Sequence, residues 1–422
     1  MKYLSLTTIG HINHGKTTLI KYLTGIDTDT RKDEQERGMT IDAGFAFLEK
    51  NNTLVSFIDV PGHEKFAKNM LSVISEANYF LLCISAKEGI MPQTEEHLDI
   101  VRILNIKEGL VIITKIDLVP IEEIKLLKNK IKYFLNNKGF YTFKILDFSI
   151  KSDLNKIDSS YGVLNPARSG DGGVVPKLPS TLGLKSEIFN ENKILNSIIN
   201  LKEIKNTNQK NSIIFPIDRV FIKKGLGKII TGNLYSGKIQ KEMILKVFPY
   251  NKEIKIKNIE FHKKNVAEIL SGYRVGLNIN ENNNEIKKGD ILVSDYNEIN
   301  IIYVNIIFSD YFNKANLNIK KTINVRFYHY SSENFGSLSF LDEEKKYAKI
   351  KFEKPIFIEK NTKFIIKTFA SINLIGGGIV LKINEFDIKT NNINKISLLS
   401  LYEKNDFFNI VNYYFNNFKK II

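Results

Sequence analysis

Cysteine is almost absent from this chain: Cys83 is the only one in 422 residues. A single thiol excludes an intramolecular disulfide framework and any zinc site built on two or four cysteines. It lies in the apolar run Tyr79-Phe-Leu-Leu-Cys-Ile84, which reads as a buried, inert thiol rather than a nucleophile. Long hydrophobic runs are missing too, and no stretch reaches the length of a membrane span. The N-terminus enters a motif within ten residues and leaves no room for a cleaved signal. The expectation is a soluble, cytoplasmic protein with no membrane partner. Proline is scarce, and three of the 9 (Pro166, Pro176 and Pro179) fall in residues 159–187 with five of the 25 glycines and no isoleucine. That stretch reads as an atypical insertion or linker without chemistry of its own.

Enough apolar material is present, at 43% with 25% charged residues, to rule out wholesale disorder. Lys+Arg 61 against Asp+Glu 46 leaves a net charge of +15. This balance favours a polyanionic partner, nucleic acid or an anionic surface, over a neutral one. A solvated basic face would give the same count, so charge alone does not decide.

Residues 3–157 alternate strand-like and helix-like segments. Strands are expected at 3–9, 53–58, 79–84, 110–114 and 142–148, with helices at 16–23, 94–104 and 122–136. This order implies an α/β domain built on a doubly wound, mostly parallel sheet. From about residue 211 the texture changes to short β-branched runs with Gly and Asn turns, a pattern of small β-barrels. A second such series follows from about residue 300. The expected organisation is residues 1–158 a nucleotide-binding domain, 159–187 the insertion, 188–210 a connecting helix, 211–298 and 299–394 two β-barrels, and 395–422 a helical tail. The tail carries apolar residues at helical spacing, among them Leu398, Leu399, Phe407, Phe408, Ile410 and Val411. It either packs back on the body or opens a further domain.

Four motifs carry chemistry. Gly10-His11-Ile12-Asn13-His14-Gly15-Lys16-Thr17-Thr18 fits the phosphate-loop pattern. Its glycines let successive N–H groups face a phosphate chain, Lys16 reaches the β/γ oxygens, and the Thr17 hydroxyl can hold Mg²⁺. Asp59-Val-Pro-Gly62 ends a strand, where its carboxylate would support Mg²⁺ and Gly62 would approach a γ-phosphate. Thr114-Lys115-Ile-Asp117 follows another strand. Asp117 can accept from the two donors on guanine's edge, which adenine lacks, and Lys115 can lie along the base. Ser149-Ile150-Lys151 would complete the base pocket. Finally, Thr40, in Arg37-Gly-Met-Thr40-Ile-Asp42, can join the Mg²⁺ shell only while a γ-phosphate is present, so its segment would be released on hydrolysis. His63 follows Gly62 and can orient the attacking water, the role another family gives to Gln. His11 and His14 lie inside the phosphate loop and read as loop residues, not as a zinc site.

These motifs together resemble the translational GTPases. Details narrow the resemblance to the selenocysteine-specific elongation factors, the SelB type. They are the short loop before Thr40, Phe57-Ile-Asp-Val-Pro-Gly-His-Glu-Lys-Phe66, Thr114 where most GTPases have Asn, Ile217-Asp-Arg-Val-Phe221, Gly225-Leu-Gly-Lys-Ile-Ile-Thr-Gly232 and Ile375-Gly-Gly-Gly378. The resemblance implies GTP and GDP with Mg²⁺ as cofactors and ribosome-stimulated hydrolysis by a monomer. Its implied cargo is selenocysteinyl-tRNA, delivered to a ribosome paused at a recoded UGA. It further implies an aminoacyl pocket lined by Asp218, Arg219 and Arg274. A selenol is largely an anion at neutral pH, and guanidiniums hold anions by charge-assisted bonds. A seryl hydroxyl would compensate them poorly, at a cost of roughly 1–3 kcal/mol. Bacterial relatives carry further winged-helix domains for a selenoprotein mRNA hairpin, so that partner is expected only if such domains exist here. Asn13 stands where the family usually has Asp, so a monovalent-cation contact is not carried over. The competing readings are a general carrier like elongation factor Tu, the γ subunit of initiation factor 2 (whose zinc ribbon one cysteine does not permit), and a catalytically inactive tRNA-binding fragment.

Overall fold

The computed structural model describes residues 2–29, 40, 43–61, 70, 73–74, 77–150, 184–203, 212–223, 225–262, 264–280, 285–310, 312, 322–369, 373–385 and 392–418. For 184–191, 392–393 and 415–418 only the backbone is described. The chain divides into two compact units. The first takes in Met1–Ala67, Ala77–Leu98 and Ile106–Ile204; the second is chiefly Lys205–Ile422.

The first unit is built on a six-stranded sheet. Its strands are β1 (Lys2–Ile9), β2 (Gly44–Lys50), β3 (Thr53–Asp59), β4 (Tyr79–Ser85), β5 (Glu108–Thr114) and β6 (Thr142–Asp147), in the order β2-β3-β1-β4-β5-β6. Strands β3, β1, β4, β5 and β6 pair in parallel. β3 and β4 are buried along their whole length, as parallel strands covered on both faces must be. Strand β2 is an addition to the expected set, and it pairs antiparallel to β3. Asn51 and Asn52 join the two with φ of 51° and 55°. Two consecutive left-handed residues make the hairpin turn that matches strand twist, and Asn tolerates that conformation. The Asn-Asn pair was therefore the signal for β2.

Cys83 is fully buried in the core beneath this sheet, with Leu6, Leu81 and Ile112. Burial pushes its thiol up to about 12, so it stays protonated and unreactive, as its apolar run implied. Ile194, Leu195 and Ile198 of the helix Leu184–Ile199 belong to the same core. This helix overlaps the connecting helix expected over residues 188–210. The structure makes it the closing helix of the first unit, because its apolar face has a sheet to cover. The segment 159–183 of the expected insertion lies outside the described residues.

The second unit contains two closed rings of six strands. One runs Ile244–Phe248, Ile291–Val293, Ile214–Lys223, Gly227–Asn233, Arg274–Ile279, Lys252–Phe261 and back to the first. The other runs Ile299–Asn305, Tyr347–Ile356, Ser332–Phe340, Ile323–His329, Lys363–Thr368, Leu374–Ile383 and closes on Ile299–Asn305. Closure removes the unpaired edges that short β-branched strands would otherwise expose. Gly376, Gly377 and Gly378 fit where strands crowd, since a Cβ on each would come within 2.2 Å of a carbonyl oxygen.

The tail forms two helices, Asn392–Glu403 and Phe407–Phe418, and the first packs back on the second ring. Leu399 is buried with Tyr303, Tyr347 and Leu381. Glu403 accepts from Asn305 Nδ2 (3.0 Å), Tyr347 O–H (2.7 Å) and Lys346 Nζ (2.9 Å). Burial alone would raise this carboxyl, but those three donors outweigh it and hold it below its ordinary range. Glu403→Ala is expected to weaken tail docking by about 1–3 kcal/mol. Hydrogen exchange should then speed up across 392–418 while the ring strands stay protected.

Candidate nucleotide and aminoacyl sites

The phosphate loop is shaped by close packing. Gly10 has φ +129°, and a Cβ there would lie 2.3 Å from the Cys83 carbonyl oxygen. Asn13 and Gly15 are also left-handed, at 60° and 82°. Gly15 is the N-cap of the helix Lys16–Thr24 and gives no side-chain cap bond, so the first-turn N–H groups face the loop uncapped by its side chain. Gly10 N–H donates to His97 Nδ1 (3.2 Å) and Ile12 N–H to Gln93 Oε1 (3.1 Å). The first turns of the helix Pro92–Ile103 thus brace the loop, which the sequence reading missed; neither residue belongs to a motif it could have used.

Lys16 is buried and donates to the carbonyls of Gly10 (3.1 Å) and His11 (2.8 Å). Burial lowers its pKa, with Asp59 pulling the other way. Burial likewise raises the Asp59 carboxyl, against bonds from Thr28, Thr17 and Thr8 and the charge of Lys16. Asp59 accepts from Thr8 Oγ1 (2.9 Å) and Thr28 Oγ1 (2.6 Å). Thr40 Oγ1 donates to Asp29 (2.8 Å) and lies 3.0 Å from Thr17 Oγ1. Thr17, Thr40 and Asp59 are therefore brought together as the motifs implied, with Thr8, Thr28 and Asp29 added around them. The donors are all hydroxyl or carboxylate oxygens, a set that fits a hard cation such as Mg²⁺. His11 and His14 meet edge to face at 5.2 Å, and no cluster of three metal-type side chains exists among the described residues.

On the base side, Lys115 is left-handed (φ 56°) and caps the short turn Ile116–Leu118 that holds Asp117. Ser149 Oγ donates to Asp117 Oδ1, so Ser149 orients the carboxylate directly. Thr114 Oγ1 donates to the His14 carbonyl (2.9 Å), tying the base motif to the phosphate loop. Thr18 and Ile150 are exposed beside these elements. Gly62, His63 and Lys151 lie outside the described residues.

In the first ring, the strand Ile214–Lys223 is irregular between Ile217 and Arg219, where it advances two residues against one on its partner. Asp218 occupies that bulge, buried, while Arg219 is exposed on the strand. Arg274 grips Asp218 with two bonds of 2.9 Å, from Nε and Nη2, and Nη2 also donates to Thr231 Oγ1 (2.9 Å). Thr231 in turn donates to Asp218 (2.6 Å). The three residues named from the sequence are thus neighbours on one wall. Their charges differ from the simple picture of two guanidiniums, because the Asp218 carboxylate offsets Arg274.

Two family models match parts of the chain. Residues 1–201 match the family model described as the elongation factor Tu GTP binding domain. Residues 311–386 match the β-barrel domain of selenocysteine-specific elongation factors. Both models describe domains of translation elongation factors. The selenocysteine-specific elongation factor of Haemophilus influenzae is 32% identical over 391 residues, covering 90% of this chain and 55% of that protein. The crystal structure of a bacterial selenocysteine-specific elongation factor, EF-Sec, superposes with TM-score 0.76 at 26% identity, covering 96% of this chain and 62% of that one. The elongation factor SelB of Methanococcus maripaludis, solved with the GTP analogue GppNHp, shares the fold at TM-score 0.69 and 23% identity, over 92% of this chain and 80% of that one. Over the residues it spans, the chain is similar to the selenocysteine-specific elongation factors. It spans about half the length of the curated relatives it matches, 55% in the case above.

Asp218→Ala removes the acceptor of two Arg274 bonds and one Thr231 bond. It is expected to cost about 1–3 kcal/mol of stability, seen as a lower thermal midpoint. Arg274→Lys should not be equivalent to wild type, since an ammonium cannot make the forked pair.

Proposed function

We propose that this chain is a GTP-dependent carrier of selenocysteinyl-tRNA to the ribosome at recoded UGA codons, with hydrolysis as the release switch. The observation that carries the nucleotide half is the meeting of Thr17, Thr40 and Asp59 at the helix N-terminus beside Gly15. That arrangement offers main-chain N–H groups and Lys16 to a triphosphate. Mg²⁺, when bound, would neutralise phosphate charge there. Thr17, Thr40 and Asp59 are the residues we assign to holding it. Asp117, held by Ser149, accepts from guanine's N1–H and exocyclic amine, while Lys115 lies along the base. Ile12, His14 and Thr18 complete the loop wall, and Ile150 and Lys151 flank the base. We assign His63 to orienting the attacking water and Gly62 to the γ-phosphate. Loss of the Thr40 contact after hydrolysis would loosen its segment.

For the cargo, Arg219 and Arg274 favour an anionic selenolate over the neutral hydroxyl of a seryl ester. Asp218 offsets part of the Arg274 charge, so the preference belongs to the three residues as a set. The net charge of +15 suits tRNA and ribosomal RNA backbones, bound through phosphates and therefore weakened by salt. Ribosomal stimulation and the domain limits given above are part of this proposal.

Two measurements test it. Asp117→Asn replaces one acceptor by a donor. It is expected to weaken GDP by roughly tenfold or more, a change of about 1.4 kcal/mol or more, and to improve xanthosine diphosphate, whose 2-position is a carbonyl; titration with fluorescent analogues reads both. Unchanged guanine preference would remove the nucleotide reading and leave an inactive tRNA-binding fragment. Separately, filter binding with GTP present should rank selenocysteinyl-tRNA above cysteinyl- and seryl-tRNA, with Arg219→Ala narrowing the gap. Equal retention of all aminoacyl-tRNAs would favour a general carrier.

A further inference from the structure

The turn that follows β4 places a carboxylate between the two halves of the nucleotide site. Glu88 Oε2 lies 3.5 Å from His14 Nε2, and Glu88 Oε1 lies 3.6 Å from Lys115 Nζ. His14 is fully buried in the phosphate loop; Lys115 belongs to the base motif. The turn itself is tightly held. Glu88 N–H and Gly89 N–H both donate to the Ser85 carbonyl (3.3 and 2.8 Å), and Ala86 N–H donates to the Thr114 carbonyl (2.8 Å). Gly89 is left-handed at φ 72°, which lets the chain reverse there. Glu88 therefore hangs from a turn pinned to the strand that carries the base motif.

Neither contact is needed to fill the core, because Glu88 is about a third exposed. Lys115 is similarly exposed, and its ammonium ends a flexible four-carbon stem. A lysine that must lie along a base loses rotamer freedom on binding, and an anchor for its ammonium prepays part of that loss. The Thr114 hydroxyl ties these two segments by donating to the His14 carbonyl; His14 itself, pushed down to about 4 chiefly by burial, faces Glu88 as a neutral ring, so the charged contact of Glu88 is the one to Lys115.

We propose that Glu88 is a positioning residue for the nucleotide. It fixes the Lys115 ammonium so that the stem is set along the guanine. This rests on the nucleotide reading above. The residue acts through Lys115 and touches neither the base nor the phosphates.

The test is a double-mutant cycle on GDP dissociation, followed with a fluorescent GDP analogue on the full chain, with Glu88→Ala, Lys115→Ala and the pair. Partly exposed ion pairs of this kind change equilibria by about 1.5-fold to fivefold. Glu88→Ala is expected to speed release by that factor in the wild-type background and by less than about 1.5-fold in the Lys115→Ala background. Glu88→Gln, which keeps the shape and removes the charge, should behave like Glu88→Ala, with the thermal midpoint of the nucleotide-free protein unchanged. Release within about 1.5-fold of wild type in Glu88→Ala would overturn the inference. So would an equal effect in both backgrounds, which would mean a structural role independent of Lys115. A wild-type chain that fails to bind GDP would instead overturn the nucleotide reading, a result distinct from either.

Discussion

The first unit is organised around two opposite charges taken out of water at one strand end. Lys16 and Asp59 are both buried, and burial works against the charged form of each. Each partly offsets the other's penalty, and the remainder is met by bonds the fold supplies: two carbonyls for Lys16, and the hydroxyls of Thr8 and Thr28 for Asp59. Such an arrangement is expensive as a pure stability device, since apolar residues of similar volume would do as well. Its value lies in holding charge ready where further charge is to arrive. The surrounding features serve that end. Gly10 must be glycine for the loop to press on the Cys83 carbonyl, Gln93 and His97 brace it from behind, and the parallel sheet brings β1, β3 and β5 to the same edge.

Much of this was legible in the sequence because the motifs dictate backbone shape locally. A glycine-bounded loop between a strand and a helix, and a carboxylate at a strand end, leave few alternative placements. The two barrels were legible as texture, through short β-branched runs with turns between them. What escaped was tertiary. Gln93 and His97 sit on an ordinary amphipathic helix, and only the fold aims them at the phosphate loop. Thr8 and Thr28 read as a strand residue and a loop residue until Asp59 is set between them. The helix Leu184–Ile199 follows a segment of foreign composition, so its pattern looked like a link; the sheet face it covers is invisible in one dimension. Strand β2 was readable in principle from Asn51 and Asn52, whose side chains tolerate the left-handed turn.

The aminoacyl wall shows the opposite balance between local and global. The three residues could be named only through a family resemblance, since isolated arginines in a barrel are ordinarily surface residues. Their arrangement then changed the electrostatics expected of them. A carboxylate that takes two bonds from one guanidinium leaves a pair, not a free cation, so the cargo preference proposed above belongs to the three residues as a set.

The bulge at Asp218 also bears on how this strand tolerates change in length. Ladder neighbours constrain each other's side through their two-residue alternation, but Asp218 stands outside the count, opposite no residue of its own. Substituting it alters one ion pair. Deleting it would leave Arg219 opposite Thr231 and keep Arg219 through Lys223 on their present faces, whereas straightening the strand with Asp218 retained would slide that half by one residue and turn its side chains over. The bulge thus lets the strand carry an extra charge without shifting its ladder.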